Sequence, residues 1–349
     1  MSLLLTWQRI KKNPSNHQRW AQFKANKRGY YSLWIFSILF LLSLIGEVWV
    51  NDKPIMVSYQ SNWYFPIIQD IPEDQLGGDF DINTDYRDPY MVQQINKDGW
   101  MIWPLIPFYY DSINYELTSA APSAPDAVNW LGTDDQGRDV VARLVYGFRI
   151  SVVFALSLTI VSSIIGVIVG AIQGYYGGKI DLIGQRLLEI WEGLPMLFML
   201  IILASFVEPT FTWLLGLMIL FSWPSLVSVV RAEFLRGRHL EYVKAAKALG
   251  VKDSKIMFKH ILPNAMIATL TFMPYLFTGA LTTLTSLDFL GFGLPLGSAS
   301  LGEMISQGKE NLHAPWLAIT AFISLSSILV LLVFIGEAAR DAFDPRKTL

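Results

Sequence analysis

Residues able to do chemistry are sparse in this 349-residue sequence, and their spacing argues against most reactions. The run Gly174-Tyr175-Tyr176-Gly177-Gly178-Lys179 comes nearest to a phosphate-binding loop, whose G-x-x-x-x-G-K-[ST] pattern lets backbone N–H groups approach phosphates. Gln173 stands where the first glycine is required and Ile180 where Ser or Thr is, so the run reads as a glycine-rich turn. No nucleotide site is therefore assigned to this run. Asp134, Asp135 and Asp139 cluster as calcium ligands do, but the D-x-[DN]-x-[DN]-G order is not met, and capping and turn roles are expected. His17, His239, His260 and His313 lack i, i+4 spacing, so no metal site is assigned. There is no cysteine, which excludes disulfides, thiolate metal sites and cysteine nucleophiles. No Ser-His-Asp arrangement can be assembled, and no catalytic residue is assigned.

The elements that would hold such residues are membrane helices. Hydrophobic residues make up 52% of the chain and charged residues 16%, too little charge for an ordinary soluble surface. Net charge is −2, which gives no argument for a nucleic-acid partner. Four windows are free of charge and long enough to cross a hydrocarbon core: Ile150 to Ile172, Pro209 to Val230, Ala265 to Leu287 and Ala314 to Gly336. Leu33 to Val50 is a fifth, carrying only Glu47, and reads as an uncleaved first span. Gly193 to Val207 is a sixth, short enough to need residues near Glu189 and Glu192. The expected fold class is an all-α polytopic membrane protein of six transmembrane helices. Gly166 and Gly170 form a G-x-x-x-G pair that reads as subunit packing.

Orientation follows from the basic residues. Residues 1–32 hold seven Lys or Arg and no acid, which places this arm in the cytoplasm. Six spans bring the C-terminus back to the same side. The expected organisation is a basic arm (1–32), a first helix (33–50), an external insert (51–145) and a core of the remaining helices (146–349). The insert holds 15 acids against 5 bases, and at that length it needs secondary structure of its own. Its aromatics, Trp63, Tyr64, Phe65, Trp100, Trp103 and Trp130, are expected to form its small core and its membrane contact.

The loop 231–264 is the most informative stretch, with eight bases and three acids. Apolar residues at helical spacing run through Tyr242, Ala245, Ala246 and Leu249, stop at Gly250, and resume through Ile256, Phe258, Ile261 and Leu262 before Pro263. This predicts two short helices joined by a bend, too polar to span and apolar enough to need a partner surface or the lipid surface. By themselves these residues also admit an ion-coupled secondary transporter or channel, although four charge-free spans offer none of the intramembrane charges such proteins use. A membrane enzyme lacks a catalytic cluster.

The run Lys244-Ala245-Ala246-x-x-x-Gly250, followed by Ile261, Leu262 and Pro263, resembles the EAA loop of ABC importer permeases. Three further segments are similar to the C-type permeases of dipeptide and oligopeptide importers. They are Trp130-Leu131-Gly132-Thr133-Asp134-x-x-Gly137-Arg138-Asp139-Val140, Ser286 to Gly293, and Gly336-Glu337-x-x-Arg340-Asp341-x-x-Asp344-Pro345-Arg346. The run Arg28 to Trp34 and the long acidic insert single out a subgroup of peptide importers that also carry microcin C. The resemblance implies half of a translocation pore for peptides or peptide-like compounds in a bacterial inner membrane. It implies a second permease as heterodimer partner, a cytoplasmic ABC ATPase (a pair or a fused double ATPase) that binds the ATP and Mg, and a periplasmic peptide-binding protein. The ATPase-coupling residues carried over are Glu241, Lys244, Ala245, Ala246, Gly250, Ile261, Leu262 and Pro263. The family's glutamate is Lys244 here, and Glu241, one turn earlier, can serve the same face. No cofactor and no substrate contact are assigned to this chain.

Overall fold

The computed structural model describes residues 14–204, 206–207, 210–295 and 297–343. Asp344, Pro345 and Arg346 of the last motif, and the first three bases of the N-terminal arm, lie outside them. The described chain divides into two compact units. One comprises residues up to Ser37, Val153–Leu284 and Ser327 onward; the other comprises Ile38–Val152 and Thr285–Ser326.

Helices dominate because long apolar runs must satisfy every backbone group internally. In order they are α1 (Pro14–Ala25), α2 (Lys27–Leu44), α3 (Gly46–Trp49), α4 (Pro89–Asp98), α5 (Val140–Tyr176), α6 (Gly178–Glu192) and α7 (Met196–Ala204), then α8 (Phe211–Ser222), α9 (Pro224–Gly237), α10 (Glu241–Ala248), α11 (Asp253–Ile256), α12 (Leu262–Phe289), α13 (Leu301–Glu310) and α14 (Pro315–Phe343). Among the described residues, four helical stretches are long and apolar enough to cross a membrane: Val140–Tyr176, Phe211–Gly237, Asp253–Phe289 and Pro315–Phe343. They contain the windows that start at Ile150 and Ala265 in full, the Pro209 to Val230 window from Phe211 on, and the Ala314 to Gly336 window from Pro315 on. The first expected span falls on the 18-residue α2 and the single turn α3, with a break at Ile45. The third is divided: α6 ends at Gly193, Pro195 follows, and the 9-residue α7 covers about 14 Å, less than half a hydrocarbon core. Trp191 anchors the end of α6 by donating to the Leu220 carbonyl at 3.0 Å and stacking on Phe221.

In the first unit, α5 lies against α9 along a stripe of glycines. A Cβ on Gly166, Gly170 or Gly174 would stand 2.8, 2.7 or 2.5 Å from the carbonyl oxygens of Trp223, Val227 and Arg231. The G-x-x-x-G pair therefore packs one chain against itself, which corrects the subunit-packing expectation. The glycine-rich turn is borne out: α5 ends before Gly177 and Gly178, both at positive φ, and α6 begins.

In the second unit the insert is not wholly helical. Strands β1 (Met56–Tyr59), β2 (Asn62–Tyr64) and β3 (Gly99–Ile102) form an antiparallel sheet in the order β2-β1-β3. Gln60 and Ser61 both take positive φ, as a two-residue hairpin demands. Asp88 caps α4 by accepting from Tyr90 N at 2.9 Å, with Pro89 at the first helical position. The core is Val57, Tyr59, Ile71, Leu76, Tyr86, Met91 and Ile95, with Tyr64 and Trp103 packed on its edge. Trp63, Phe65, Trp100 and Trp130 are exposed, so most of the aromatics expected in the core are outside it.

Toward the end of the insert, Asp134 and Asp139 do cap and turn. Asp139 accepts from Ala142 N at 2.8 Å at the start of α5, and Asn129 donates to its other oxygen at 2.9 Å. Burial pushes the Asp139 carboxyl up. Asp134 accepts from Arg138 N and Arg138 Nε at 2.9 and 2.7 Å. Around it, Arg143 meets Asp134 at 3.4 Å and Glu303 at 3.1 Å, and Arg138 meets Glu303 at 3.3 Å. Three of the four charged groups are almost fully buried, a network that only close pairing makes tolerable. Ser300 caps α13 through the Gly302 and Glu303 amides and donates to Asp288 at 2.6 Å.

Candidate coupling interface

The loop between α9 and α12 is built from its small residues outward. Helix α10 ends in a Schellman motif: Gly250 N donates to Lys247 O at 3.0 Å and Val251 N to Ala246 O at 3.1 Å. Gly250 has φ +76, the left-handed backbone such a cap requires, and nothing lies within 4 Å of a Cβ built on it. Glycine is therefore used here for its backbone alone. The bend places Val251 beside the buried Ala246, and with Val243 these residues join Ile256, Met257 and Ile261 in one apolar cluster with Phe234, Val230 and Tyr175.

The second predicted helix does not stop before Pro263. The chain is helical from Asp253 through Phe289, with a wide turn at Met257–Ile261 where Leu262 N reaches back to Met257 O. Pro263 has no N–H and its ring crowds the carbonyl four residues earlier, and widening the preceding turn accommodates both defects. The loop's second arm is thus continuous with a membrane helix.

Polar contacts fix the same element. Tyr175 Oη donates to Asp253 Oδ1 at 2.5 Å. Asn264 donates to Tyr242 Oη at 3.1 Å, and Tyr242 donates to the His260 carbonyl at 3.2 Å. Arg231 of α9 forms a two-pronged pair with Asp181 of α6, its Nη2 at 2.7 Å from Oδ2. That guanidinium holds the Asp181 carboxyl below its usual range.

The buried face of α10 differs from the periodic face read in the sequence. Val243 and Ala246 point inward, whereas Tyr242, Ala245 and Leu249 are exposed, Leu249 at 84%; across the bend Phe258 is 67% exposed. Of the eight assigned residues, Ala246 and Ile261 meet in the cluster and Leu262 packs on its edge. Glu241, Lys244, Ala245, Gly250 and Pro263 are exposed. Glu241 and Lys244 do share a face, paired at 3.0 Å, both open to solvent. Sequence reasoning missed the anchors Val243, Val251 and Met257; the signal was present in the apolar residue directly after Gly250, a usual partner of a Schellman cap. The surface left outside is apolar with a basic surround. Among the described residues no His, Asp or Glu group is arranged to hold a metal ion.

Comparison with known proteins decides the family. Residues 162–349 match the model of the binding-protein-dependent transport system inner membrane component. The chain belongs to this family. It is a multi-pass inner-membrane permease subunit of an ABC transporter, as the four motifs imply. The permease is 56% identical to the inner membrane ABC transporter permease protein YejE of Escherichia coli, across 97% of this chain and 99% of that one. It is 54% identical to the peptidoglycan transport system permease protein YejE of Agrobacterium fabrum, across 96% and 94%. The oligopeptide transport system permease protein OppC of Lactococcus lactis is 34% identical across 62% of this permease and 75% of its own length. An inward-facing form of the MetNI methionine ABC transporter aligns with a TM-score of 0.46 at 14% identity, across 58% of this chain and 96% of that one.

Proposed function

We propose that this permease forms half of a heterodimeric translocation pore for peptides or peptide-like compounds, with microcin C among the cargo. A second permease completes the pore, and a periplasmic binding protein delivers the cargo. A cytoplasmic ATPase, as a pair or a fused double chain, binds ATP and Mg and performs the hydrolysis; this chain is not an enzyme. Both termini are cytoplasmic.

The observation that carries the reading is the exposed apolar surface of Tyr242, Ala245, Leu249 and Phe258 on an element bolted to the membrane helices through Val243, Ala246, Met257 and Ile261. An ATPase gripping the outer surface moves the inner one, and with it α9 and α12, because the second arm runs into α12 without a break. The role of Glu241, Lys244, Ala245, Ala246, Gly250, Ile261, Leu262 and Pro263 is mechanical. The peptide assignment is supported by relatives named for oligopeptide and peptidoglycan transport.

Gentle solubilisation of the tagged chain tests this. The second permease and the ATPase should co-purify, and Leu249→Glu should release the ATPase while keeping the second permease. Recovery of the chain without an ATPase, or uptake that survives ATPase inactivation and collapses with an ionophore, would favour a secondary transporter instead.

A further inference from the structure

We propose that a cleft between α5, α8, α9 and α12 is a contact station for the amide groups of a peptide in transit, an inference that rests on the importer reading above. The cleft encloses about 290 Å³ and lies wholly within the first unit. That is near the lower end of pockets that hold small ligands, enough for a short stretch of extended peptide. Its polar surface comes from hydroxyls, chiefly Thr159, Ser162, Ser222, Ser225 and Tyr275, and no charged side chain is among its lining residues.

Two observations point to an occupant. Thr159 is 4% exposed, yet its Oγ1 has no hydrogen-bond partner among the described residues. Other helical hydroxyls, those of Ser162, Thr269, Thr271, Thr278 and Thr320, return their proton to a carbonyl in the preceding turn. A buried hydroxyl left unpaired at a cleft wall is satisfied by a group that enters the cleft. Gly279 is the second. It lies inside α12, where glycine is unfavourable, and nothing stands within 4 Å of a Cβ built on it. Gly166, Gly170 and Gly174 are glycine because a backbone crosses them; Gly279 faces open space in the cleft wall.

Hydroxyls donate to carbonyls and accept from N–H groups, so they serve the amides common to all peptides and to acetamido sugars. Without fixed charge, the station does not trap a peptide's termini or its charged side chains. Contact with the backbone alone suits a pore that passes many sequences.

The complete importer, reconstituted in proteoliposomes, provides the test. Gly279→Phe fills the cleft without displacing backbone and should abolish ATP-driven uptake of a radiolabelled pool of short peptides while ATPase activity and complex size are kept. Thr159→Val should raise the apparent KM about fivefold, the worth of one hydrogen bond. Because the chain has no cysteine, Ser225→Cys places a unique thiol on this subunit. A pyridyl-disulfide peptide should label it during turnover, with protection by unlabelled peptide, and should not label Ile164→Cys on α5, which is exposed but does not line the cleft. Running the labelling with an acetylated muropeptide bearing the same group separates peptide from sugar amides. Normal uptake by Gly279→Phe, breakdown of the heterodimer in that variant, or equal labelling at both cysteines would overturn the station alone, pointing to lipid or the second permease as the occupant. Absence of ATP-driven uptake by the unaltered complex would overturn the importer reading and the station together.

Discussion

Replacing Gly250 with valine is the sharpest test of the coupling element. Left-handed backbone costs an L-residue roughly 1–2 kcal/mol, and a β-branched side chain sits at the upper end or beyond. Restricting the unfolded chain by removing glycine returns about 0.4–1 kcal/mol. Since nothing lies within 4 Å of a Cβ at Gly250, no clash within this chain adds to the cost. The net effect is on the order of 1.4 kcal/mol for valine, a tenfold loss of bent population, less for alanine and near zero for asparagine, which tolerates this conformation. The Val251 amide, bonded to Ala246 O at 3.1 Å, reports the bend directly. In the valine variant its hydrogen exchange should accelerate about tenfold. Peptide uptake should fall in the order asparagine, alanine, valine. Membrane insertion should be unaffected, because the spans keep their hydrophobicity. Wild-type uptake with valine would refute the coupling role of the bend. Asparagine as damaging as valine would show that position 250 is glycine for space against a partner, and the backbone argument would fail.

Gly174→Ala should destabilise the purified chain by roughly 1–3 kcal/mol, since its Cβ would stand 2.5 Å from the Arg231 carbonyl; a lower thermal midpoint in detergent checks this. Arg143→Met should cost roughly 3–5 kcal/mol by leaving the Asp134 and Glu303 carboxylates without one of their cations, whereas Lys53→Met at a solvent-screened pair with Asp70 should leave the thermal midpoint nearly unchanged. Asp181 has a carboxyl held below its usual range by Arg231, so its stabilisation is complete above the unfolded value and is lost as pH falls through the folded one. Protection of the amides near the start of α6, taken relative to their intrinsic exchange rates, should therefore be the same at pH 7 and pH 5 and fall only below about pH 4. Asp181→Asn should show the lower protection throughout.

How much of this was legible in the sequence depends on whether the signal was local. The four charge-free windows became helices because a long apolar run has no other way to satisfy its backbone in lipid. Gly250 was legible as a helix stop because left-handed backbone is nearly a glycine monopoly, and Asp88 with Pro89 obeyed the same local logic at α4. The hairpin at Gln60 and Ser61 was not legible, since neither residue is the asparagine or glycine that such turns prefer. Nor was the fate of the tryptophans: composition gives aromatic area, but the insert's sheet buried Val57, Tyr59 and Met91 and left Trp63 and Trp100 outside.

Sequence alone determined the membrane class, the spans that carry no charge and the family, each of which rests on residue type and spacing along the chain. Tertiary structure decided which face is which. Helical periodicity grouped Tyr242, Ala245, Ala246 and Leu249, yet the Schellman cap and the exit from α9 turned only Ala246 of these inward, together with Val243. The glycine stripe of α5 met α9 of its own chain, Glu303 came from a distant segment to the Arg138 and Arg143 that pair locally with Asp134, and Gly279 was left beside an open cleft. A one-dimensional pattern fixes how often a side chain returns to a face, but the partner waiting there is set by packing between segments far apart in the chain.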